Sequence, residues 1–190
     1  SDTMLSTSIG DSSLQVATVE HLMAALWGMG IDNIVIELSA REVPILDGSA
    51  APFIDLIVSA GIVEQKGRKQ FIRIKREVRV TQGDGHASLK PYAGFKGSYT
   101  FVSNHRAYAS FPRNVSLDFS SVSFVESVGG ARSFGLMEEL SQAQAINKCL
   151  GSSLENAVGV TVDGVVNPEG LRFDDEFVRH KLLDAIGDLY

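Results

Sequence analysis

A helical pattern at residues 174 to 190 constrains the fold more than any other feature of the sequence. Apolar side chains form one stripe of this segment, and beside them polar side chains recur at every fourth position, namely Glu176, His180, Asp184 and Asp188. An amphipathic helix of this kind requires a second layer of structure that covers its apolar stripe. The polar stripe then either faces solvent or meets other polar groups in a site.

The rest of the chain alternates between helical and strand-like patterns, which predicts an α+β fold. Helices are expected at residues 19–29, 51–60 and 137–146, with Thr18 as the N-cap of the first. Strands are expected at residues 33–38, 71–80, 87–92, 98–102, 115–119 and 158–162, and the first of these is expected to be buried. The charged cluster at 65–69 predicts a boundary between two domains, at 1–68 and 69–190.

The composition excludes several classes of protein. Hydrophobic residues make up 44% and charged residues 21% of the 190, a mixture typical of packed globular proteins. The net charge of −6 and the lack of a basic tract argue against nucleic acid as the main partner. The single cysteine, Cys149, excludes an internal disulfide framework and a zinc site built from several thiolates. No apolar run approaches the roughly 20 residues of a membrane-spanning helix, so we expect a soluble protein without stable membrane insertion.

His180 and Asp184 are spaced so that both side chains project from adjacent turns of one helix face and can bind one metal ion. A third ligand then has to come from His21, His86 or His105. His21 is the preferred candidate because it begins an otherwise apolar helix, whereas the other two are expected at the surface, in a turn and in a polar loop. A His, His, Asp set leaves the fourth position of a tetrahedral zinc ion open for water, which is the arrangement of a hydrolytic site.

These spacings also have plainer interpretations. The polar stripe of the last helix is compatible with a solvated face, and His21 with a buried histidine that has ordinary polar partners. The sequence contains no Gly-x-Ser-x-Gly elbow, phosphate-binding loop, dinucleotide fingerprint or His-Glu-x-x-His string. Serine and cysteine hydrolases are therefore disfavoured.

Four strings of residues carry more information than the spacings do. They are Thr-Val-Glu-His-Leu at 18–22, Gly-Ile-Asp-Asn at 30–33, Ile-Leu-Asp-Gly-Ser-Ala-Ala-Pro-Phe at 45–53, and Arg-Phe at 172–173 leading into Phe-Val-Arg-His-Lys-Leu-Leu-Asp-Ala-Ile-Gly-Asp at 177–188. In this order, and over essentially the whole chain, they resemble the zinc-dependent UDP-3-O-acyl-N-acetylglucosamine deacetylases of lipid A biosynthesis.

The resemblance implies two α+β domains, each a sheet layered against helices, with the active site between the helix layers. It implies hydrolysis of the acetamide on the glucosamine ring of an acylated UDP-sugar, with release of acetate and a free amine. It further implies a Zn²⁺ cofactor and a cytoplasmic location in a Gram-negative bacterium, and we expect a monomer.

The resemblance also assigns roles to matched residues. His21, His180 and Asp184 correspond to the zinc ligands of the family. Glu20 corresponds to the general base that deprotonates the attacking water, because a carboxylate next to a ligand can reach that water without binding the metal itself.

Other matched positions concern the transition state and the substrate. Ser133 stands where the family usually has a threonine whose hydroxyl helps to hold the oxyanion, and Asp188 corresponds to an aspartate that orients a catalytic histidine. Lys181 corresponds to a lysine near the substrate phosphates and is equally compatible with an exposed helix lysine. The remaining substrate contacts are expected at Phe134, Leu136, Met137 and Leu140, which with residues 149–156 suit an acyl passage and an ordinary core equally well.

The sequence does not include the first and last segments of the family pattern. The family carries Gly-Leu-His ahead of position 1, and after the region of Asp188 a Gly-His motif that supplies the general acid. We therefore expect this chain alone to bind zinc but to turn over poorly, because the amine has to leave without a proton donor. The alternatives are a catalytically silent fragment that binds the acyl chain or the nucleotide sugar, and a zinc amidase that acts on another substrate.

Overall fold

The structure, a computed structural model, describes residues 6–11, 13–145 and 151–190. The helices in these ranges are α1 (Glu20–Met29), α2 (Ala51–Ala60), α3 (Met137–Ala145) and α4 (Glu176–Leu189). The strands are β1 (Ser8–Gly10), β2 (Gln15–Ala17), β3 (Val78–Gln82), β4 (Gly85–Leu89), β5 (Lys96–Thr100), β6 (Asn114–Asp118), β7 (Phe134–Leu136), β8 (Val158–Thr161) and β9 (Gly164–Val165). The fold is α+β, as the sequence predicts.

The strands of the described ranges form small sheets rather than one large one. The pairs β1–β2, β3–β4 and β5–β6 are antiparallel, and the fourth sheet joins β7 in parallel to β8, which pairs antiparallel with β9. The parallel pair β7–β8 is the one that matters for the site, because β7 directly follows the loop at 131–133.

The helices α1 and α4 pack side by side in the larger of the two hydrophobic cores. Ala24 and Ala25 of α1 are fully buried against a face of α4 that includes Leu183 and Ile186. The small side chains on α1 allow the two helix axes to come close, and each buried Leu or Ile contributes roughly 1.5–3 kcal/mol. This interface fixes the position of α1 relative to α4.

The second core is largely aromatic and packs against the first turn of α4. The buried ring of Phe177 lies with its centroid 4.7 to 5.5 Å from those of Phe134, Phe111 and Tyr108. Burial, and to a lesser extent the negative charge of Glu139, raise the pKa of Tyr108 to about 12.

The helix predictions are confirmed, with one error at a cap. Residues 51–60 form α2 as expected, and α1 ends at Gly30, which adopts a left-handed φ of 69°. The N-cap of α1 is Val19 and not Thr18, whose φ is 58° and whose hydroxyl donates to Glu42 Oε1 instead. The helix expected at 137–146 is α3, and residue 146 lies outside the described residues.

The strand predictions are confirmed only in part. The expected buried strand at 33–38 is wrong, because this segment forms no ladder with a described strand and Val35 is 89% exposed. The strand expected at 71–80 begins only at Val78, where β4 supplies a partner. His86 lies in β4 and not in the adjoining turn, but it is exposed as expected. An apolar alternation does not make a strand where no neighbour accepts its backbone hydrogen bonds.

Elements from both sides of the predicted boundary at residue 68 share the larger core, which contains side chains of α1, α2 and α4. The division into two domains stays a prediction. In the described part of the chain, every helix is too short or too polar to cross a membrane.

Candidate metal centre

Three side chains from α1 and α4 converge at the crossing of these helices. His21 Nε2 lies 3.3 Å and His180 Nε2 3.4 Å from the same oxygen, Asp184 Oδ1. The two imidazole rings meet edge to face with centroids 4.9 Å apart. One potential ligand atom from each of the three residues lies within 4.8 Å of the others, so the set expected from the sequence is brought together.

His180 is held in one orientation by a backbone group. Its Nδ1 donates a hydrogen bond to the carbonyl oxygen of Ala131, 3.0 Å away, and both residues are buried. Burial lowers the pKa of His180 to about 4, against the opposing charge of Asp184. The imidazole is therefore neutral at pH 7, with its proton on Nδ1 and the lone pair of Nε2 directed toward Asp184 Oδ1.

The two carboxylate oxygens of Asp184 have different neighbours. Oδ2 accepts a hydrogen bond from Lys181 Nζ at 3.0 Å, whereas Oδ1 is buried without a hydrogen-bond partner among the described residues. Burial raises the pKa of this carboxyl, but His180, His21 and Lys181 together hold it below its ordinary value. The oxygen that faces the histidines is thus an ionised acceptor.

The donor set fits a divalent metal ion. A buried, ionised oxygen without a hydrogen-bond partner is costly unless a cation binds it. Here Asp184 Oδ1 faces the neutral Nε2 of His180 and Nε2 of His21, so two nitrogens and one oxygen point at one place. This is the ligand type and number that a catalytic zinc site uses, with a further position left for water or substrate.

Glu20 lies beside His21 in the first turn of α1 and is 9% exposed. Its Oε2 accepts a hydrogen bond from the backbone N–H of Thr7 at 3.1 Å. Burial raises the pKa of Glu20, although hydrogen bonds from its own backbone N–H and that of Thr7 oppose the shift. The carboxylate is held next to the convergence of ligands without belonging to it. Asp188 lies one turn beyond Asp184 and is exposed.

Some residues expected to contact the substrate lie near His180, and others lie in the aromatic core or at the start of α3. The Lys181 ammonium lies 5.5 Å above the ring of Phe134, whose centroid is 6.1 Å from that of His180. The Ser133 backbone bonds to Gly48 O and to the Val158 N–H, both at 2.7 Å. Leu136 is 6% exposed in the aromatic core, whereas Met137 and Leu140 are half-buried at the start of α3. Of the expected acyl passage, 149 and 150 lie outside the described residues.

The ion pair between Arg132 and Glu176 could not be predicted from the sequence. These two residues form a buried ion pair next to the metal centre, with Arg132 Nε 2.9 Å from Glu176 Oε1. The sequence pattern places Glu176 only on the polar stripe of α4, and 44 residues separate it from Arg132. No spacing rule connects positions so far apart. The polar stripe is buried at Glu176 and His180, so this part of it is not a solvated face, whereas Asp188 at its end is exposed.

Comparison with known proteins identifies the family. The family model for LpxC, UDP-3-O-acyl N-acetylglycosamine deacetylase, matches residues 1–190. The chain belongs to this family. Two similar relatives in the family are the UDP-3-O-acyl-N-acetylglucosamine deacetylases of Marinobacter nauticus, at 52% identity, and of Hahella chejuensis, at 51% identity, each over 189 residues. All of this chain is covered in both comparisons, but it spans only 62% and 63% of those deacetylases.

Proposed function

We propose that the protein containing this chain hydrolyses the N-acetyl group of UDP-3-O-acyl-N-acetylglucosamine and releases acetate, in lipid A biosynthesis. The observation that carries the proposal is the convergence of His21, His180 and Asp184 in a chain about half identical to two deacetylases of that name. We further propose the layered two-domain arrangement of the family, a monomer, and a cytoplasmic location in a Gram-negative bacterium.

We assign the cofactor as Zn²⁺, held by His21 Nε2, His180 Nε2 and Asp184 Oδ1. A zinc ion in such a site lowers the pKa of a water molecule to about 7 and polarises a carbonyl oxygen. The protein has to supply the remaining groups: a proton acceptor for the water, a donor for the oxyanion, and a surface that positions the substrate.

Glu20 is the proposed proton acceptor. Its neighbour His21 is a ligand, so the carboxylate is within reach of the water while its own oxygens stay off the metal. The Thr7 N–H holds one carboxylate oxygen, Oε2, at 3.1 Å, which fixes the direction of the other. A carboxylate held in this way accepts the proton as the water attacks the amide carbon.

Three further assignments complete the reaction. The Ser133 hydroxyl donates a hydrogen bond to the oxyanion. This hydrogen bond strengthens as negative charge develops on the carbonyl oxygen. Asp188 orients the histidine that protonates the leaving amine. Lys181 approaches the phosphates of the substrate from the edge of the site, where its side chain is 37% exposed.

The acyl chain is proposed to pass along the apolar residues that follow Ser133. Methylene groups gain free energy from apolar contact, at about 0.8 kcal/mol for each one buried. Phe134 offers such contacts beside His180, and Met137 and Leu140 are proposed to continue the surface on α3. Leu136 supports this surface from the core beneath it.

The test uses the full-length protein, because this chain spans only part of its relatives. Zinc content and acetate release are measured for the wild type, for His180→Ala, and for His86→Ala as a control on an exposed histidine of β4. We expect about one zinc per chain and turnover in the wild type and the control, with both lost in His180→Ala. Absence of bound metal in the wild type contradicts the proposal.

Two other outcomes separate the alternatives. Binding of the acylated UDP-sugar without acetate release indicates a silent binding protein. Equal kcat/KM for simple acetamides and for the acylated UDP-sugar indicates an amidase of another specificity.

A further inference from the structure

We propose that Arg132 and Glu176, which we call the Arg132–Glu176 clamp, position His180 for metal binding. The inference rests on the proposed metal centre and concerns residues that do not touch the metal themselves. It begins with a single peptide group.

The peptide group between Ala131 and Arg132 contacts α4 at both of its ends. Its carbonyl oxygen accepts the hydrogen bond from His180 Nδ1, and its N–H donates to Glu176 Oε1, each at 3.0 Å. His180 and Glu176 are one turn apart on α4, about 6 Å along the axis. Because a peptide group is planar, with its N–H and C=O pointing in opposite directions, holding the N–H on Glu176 also sets the direction of the carbonyl toward His180.

Glu176 is itself held by four hydrogen bonds. Oε1 accepts from the backbone N–H of Arg132 and from its Nε at 2.9 Å, and Oε2 accepts from Arg132 Nη2 at 3.2 Å and from the Arg172 N–H at 2.6 Å. Glu176 is completely buried and Arg132 is 3% exposed, so the pair is removed from water and its geometry is strongly preferred. With two bonds on each oxygen, Glu176 is not a further ligand, although it lies on the same stripe of α4.

The rest of the Arg132 guanidinium is equally fixed. Nη1 donates to Glu169 Oε1 and Nη2 to the carbonyl oxygen of Gly170, both at 2.7 Å. The side chain therefore ties the loop that precedes α4 to the loop at 131–133. Neither end of the clamp moves without breaking several charged hydrogen bonds.

The loop at 131–133 belongs to no helix and to no strand ladder, and beyond Arg132 it is held by the Ser133 bonds to Gly48 O and the Val158 N–H. It lies between a π-helical turn, Val125–Gly129, and β7. The Ala131 N–H bonds to Val128 O at 2.9 Å, which leaves the peptide group that follows Ala131 to be oriented by side chains. Loss of the clamp frees this carbonyl to turn away, and His180 then loses the acceptor that selects its Nδ1-protonated form and aims Nε2 at the metal.

The test compares variants of the full-length protein. In the double variant Arg132→Leu with Glu176→Leu, apolar side chains replace both buried charges, so neither is left unpaired. Glu176→Gln is a milder variant that keeps an oxygen for the Arg132 N–H but lacks the charge. The control, Asp175→Leu with Arg179→Leu, removes the ion pair between the N-cap residue of α4 and its first turn, together with the Arg179 bond to Ser127 O, but leaves the bond to the Ala131 carbonyl in place.

Two measurements are made on each variant. Zinc affinity is measured by competition with a chelator, and we expect about 10- to 100-fold weaker binding in the double variant, less weakening in Glu176→Gln, and no change in the control. The protonated nitrogen of His180 is identified by ¹⁵N NMR on the zinc-free protein. We expect Nδ1–H in the wild type and the control, and a mixture with Nε2–H in the double variant.

The NMR measurement separates failure of this inference from failure of the proposed function. Wild-type zinc affinity and an unchanged Nδ1–H form in the clamp variants overturn the inference, whatever their stability. A wild type that binds no zinc overturns the proposed function, while a changed proton position in the double variant still supports the clamp. If the double variant does not fold, the same two readings on Glu176→Gln decide.

Discussion

The carbonyl oxygen of Glu20 lies directly against Gly187 where α1 crosses α4. A Cβ at position 187 would lie 2.0 Å from this oxygen and 3.1 Å from Ala24 N, so no side chain fits there. Glu20 precedes the proposed ligand His21, and Gly187 lies three residues after the proposed ligand Asp184. The contact therefore sets the distance between the two helices that carry the proposed ligands.

Gly187→Ala is expected to separate α1 from α4 and to weaken zinc binding at least tenfold. Overpacking of this kind costs roughly 1–3 kcal/mol in the free energy of unfolding, reduced by the better helix propensity of alanine. Zinc titration and urea unfolding measure the two effects. Gly67→Ala is the control, because nothing lies within 4 Å of a Cβ there. Wild-type zinc affinity in Gly187→Ala would show that the helix spacing is set elsewhere.

Glu20→Gln is expected to lower kcat by about 10²- to 10⁴-fold and to leave the zinc content unchanged. The amide keeps the size of the side chain and can still accept the Thr7 N–H, but it is a poor proton acceptor. Acetate release and metal analysis on the same preparation separate the two effects. Loss of zinc together with activity would place Glu20 among the ligands and contradict its assignment as the base.

The raised pKa of Tyr108 predicts that the free energy of unfolding falls in alkaline solution. Its pKa is about 12 in the folded chain against 10.0 for an unperturbed tyrosine. Since the folded state retains the proton that the unfolded state loses, the stabilisation is complete below pH 10 and declines as the pH rises through 12. The full effect is about 3 kcal/mol.

Tyr108→Phe removes this titration, so the free energy of unfolding of the variant should fall less than that of the wild type between these pH values. Denaturant unfolding at several alkaline pH values measures the difference. Parallel curves for the two proteins would show that Tyr108 titrates normally.

The lowered pKa of Asp47 predicts that the free energy of unfolding falls in acid. Burial raises its pKa, but hydrogen bonds from Ser49 and Arg172 outweigh burial and hold the pKa below the usual 3.8. The carboxylate bonds to Arg172 Nη1 at 2.8 Å and to the Ser49 N–H at 2.9 Å. The stability that it contributes is present above the unfolded pKa and is lost as the pH falls through the lower folded value.

Asp47→Asn is therefore expected to be less stable than the wild type by about 1–2 kcal/mol at pH 7, with a smaller difference in acid. Unfolding curves at pH 7 and at successively lower pH measure this trend. Asp55→Asn, on the exposed side of α2, is the control. A difference between Asp47→Asn and wild type that does not depend on pH would rule out the ionised form as its source.

The sequence predicts the proposed ligand set better than it predicts the groups that hold these side chains in place. His180 and Asp184 are one helical turn apart, so their proximity follows from helix geometry alone. His21 follows from elimination among the three other histidines, and the structure places it beside His180 and Asp184. The Ala131 carbonyl and the Glu20–Gly187 contact are backbone features. They depend on how two distant segments pack, which no local pattern encodes.

The helices were predictable because periodicity and breakers act within one segment, as at Gly30 and Gly61. The strands were harder to predict, because a strand forms only where another segment pairs with its backbone. The segment at 33–38 has the apolar content of a strand but pairs with no described strand, and its Ile and Val side chains are exposed. Pairing is decided at long range, outside the reach of local sequence patterns.

The main chain defines two edges of this site, at the Ala131 carbonyl and at the crossing over Gly187. Main-chain atoms persist when side chains are exchanged, provided that the backbone keeps its course. Under the proposed function, exchange of residues on the acyl surface, such as Met137 and Leu140, would therefore leave both of these edges in place. The groups proposed to act on the acetamide would then keep their positions while the residues proposed to contact the acyl chain change.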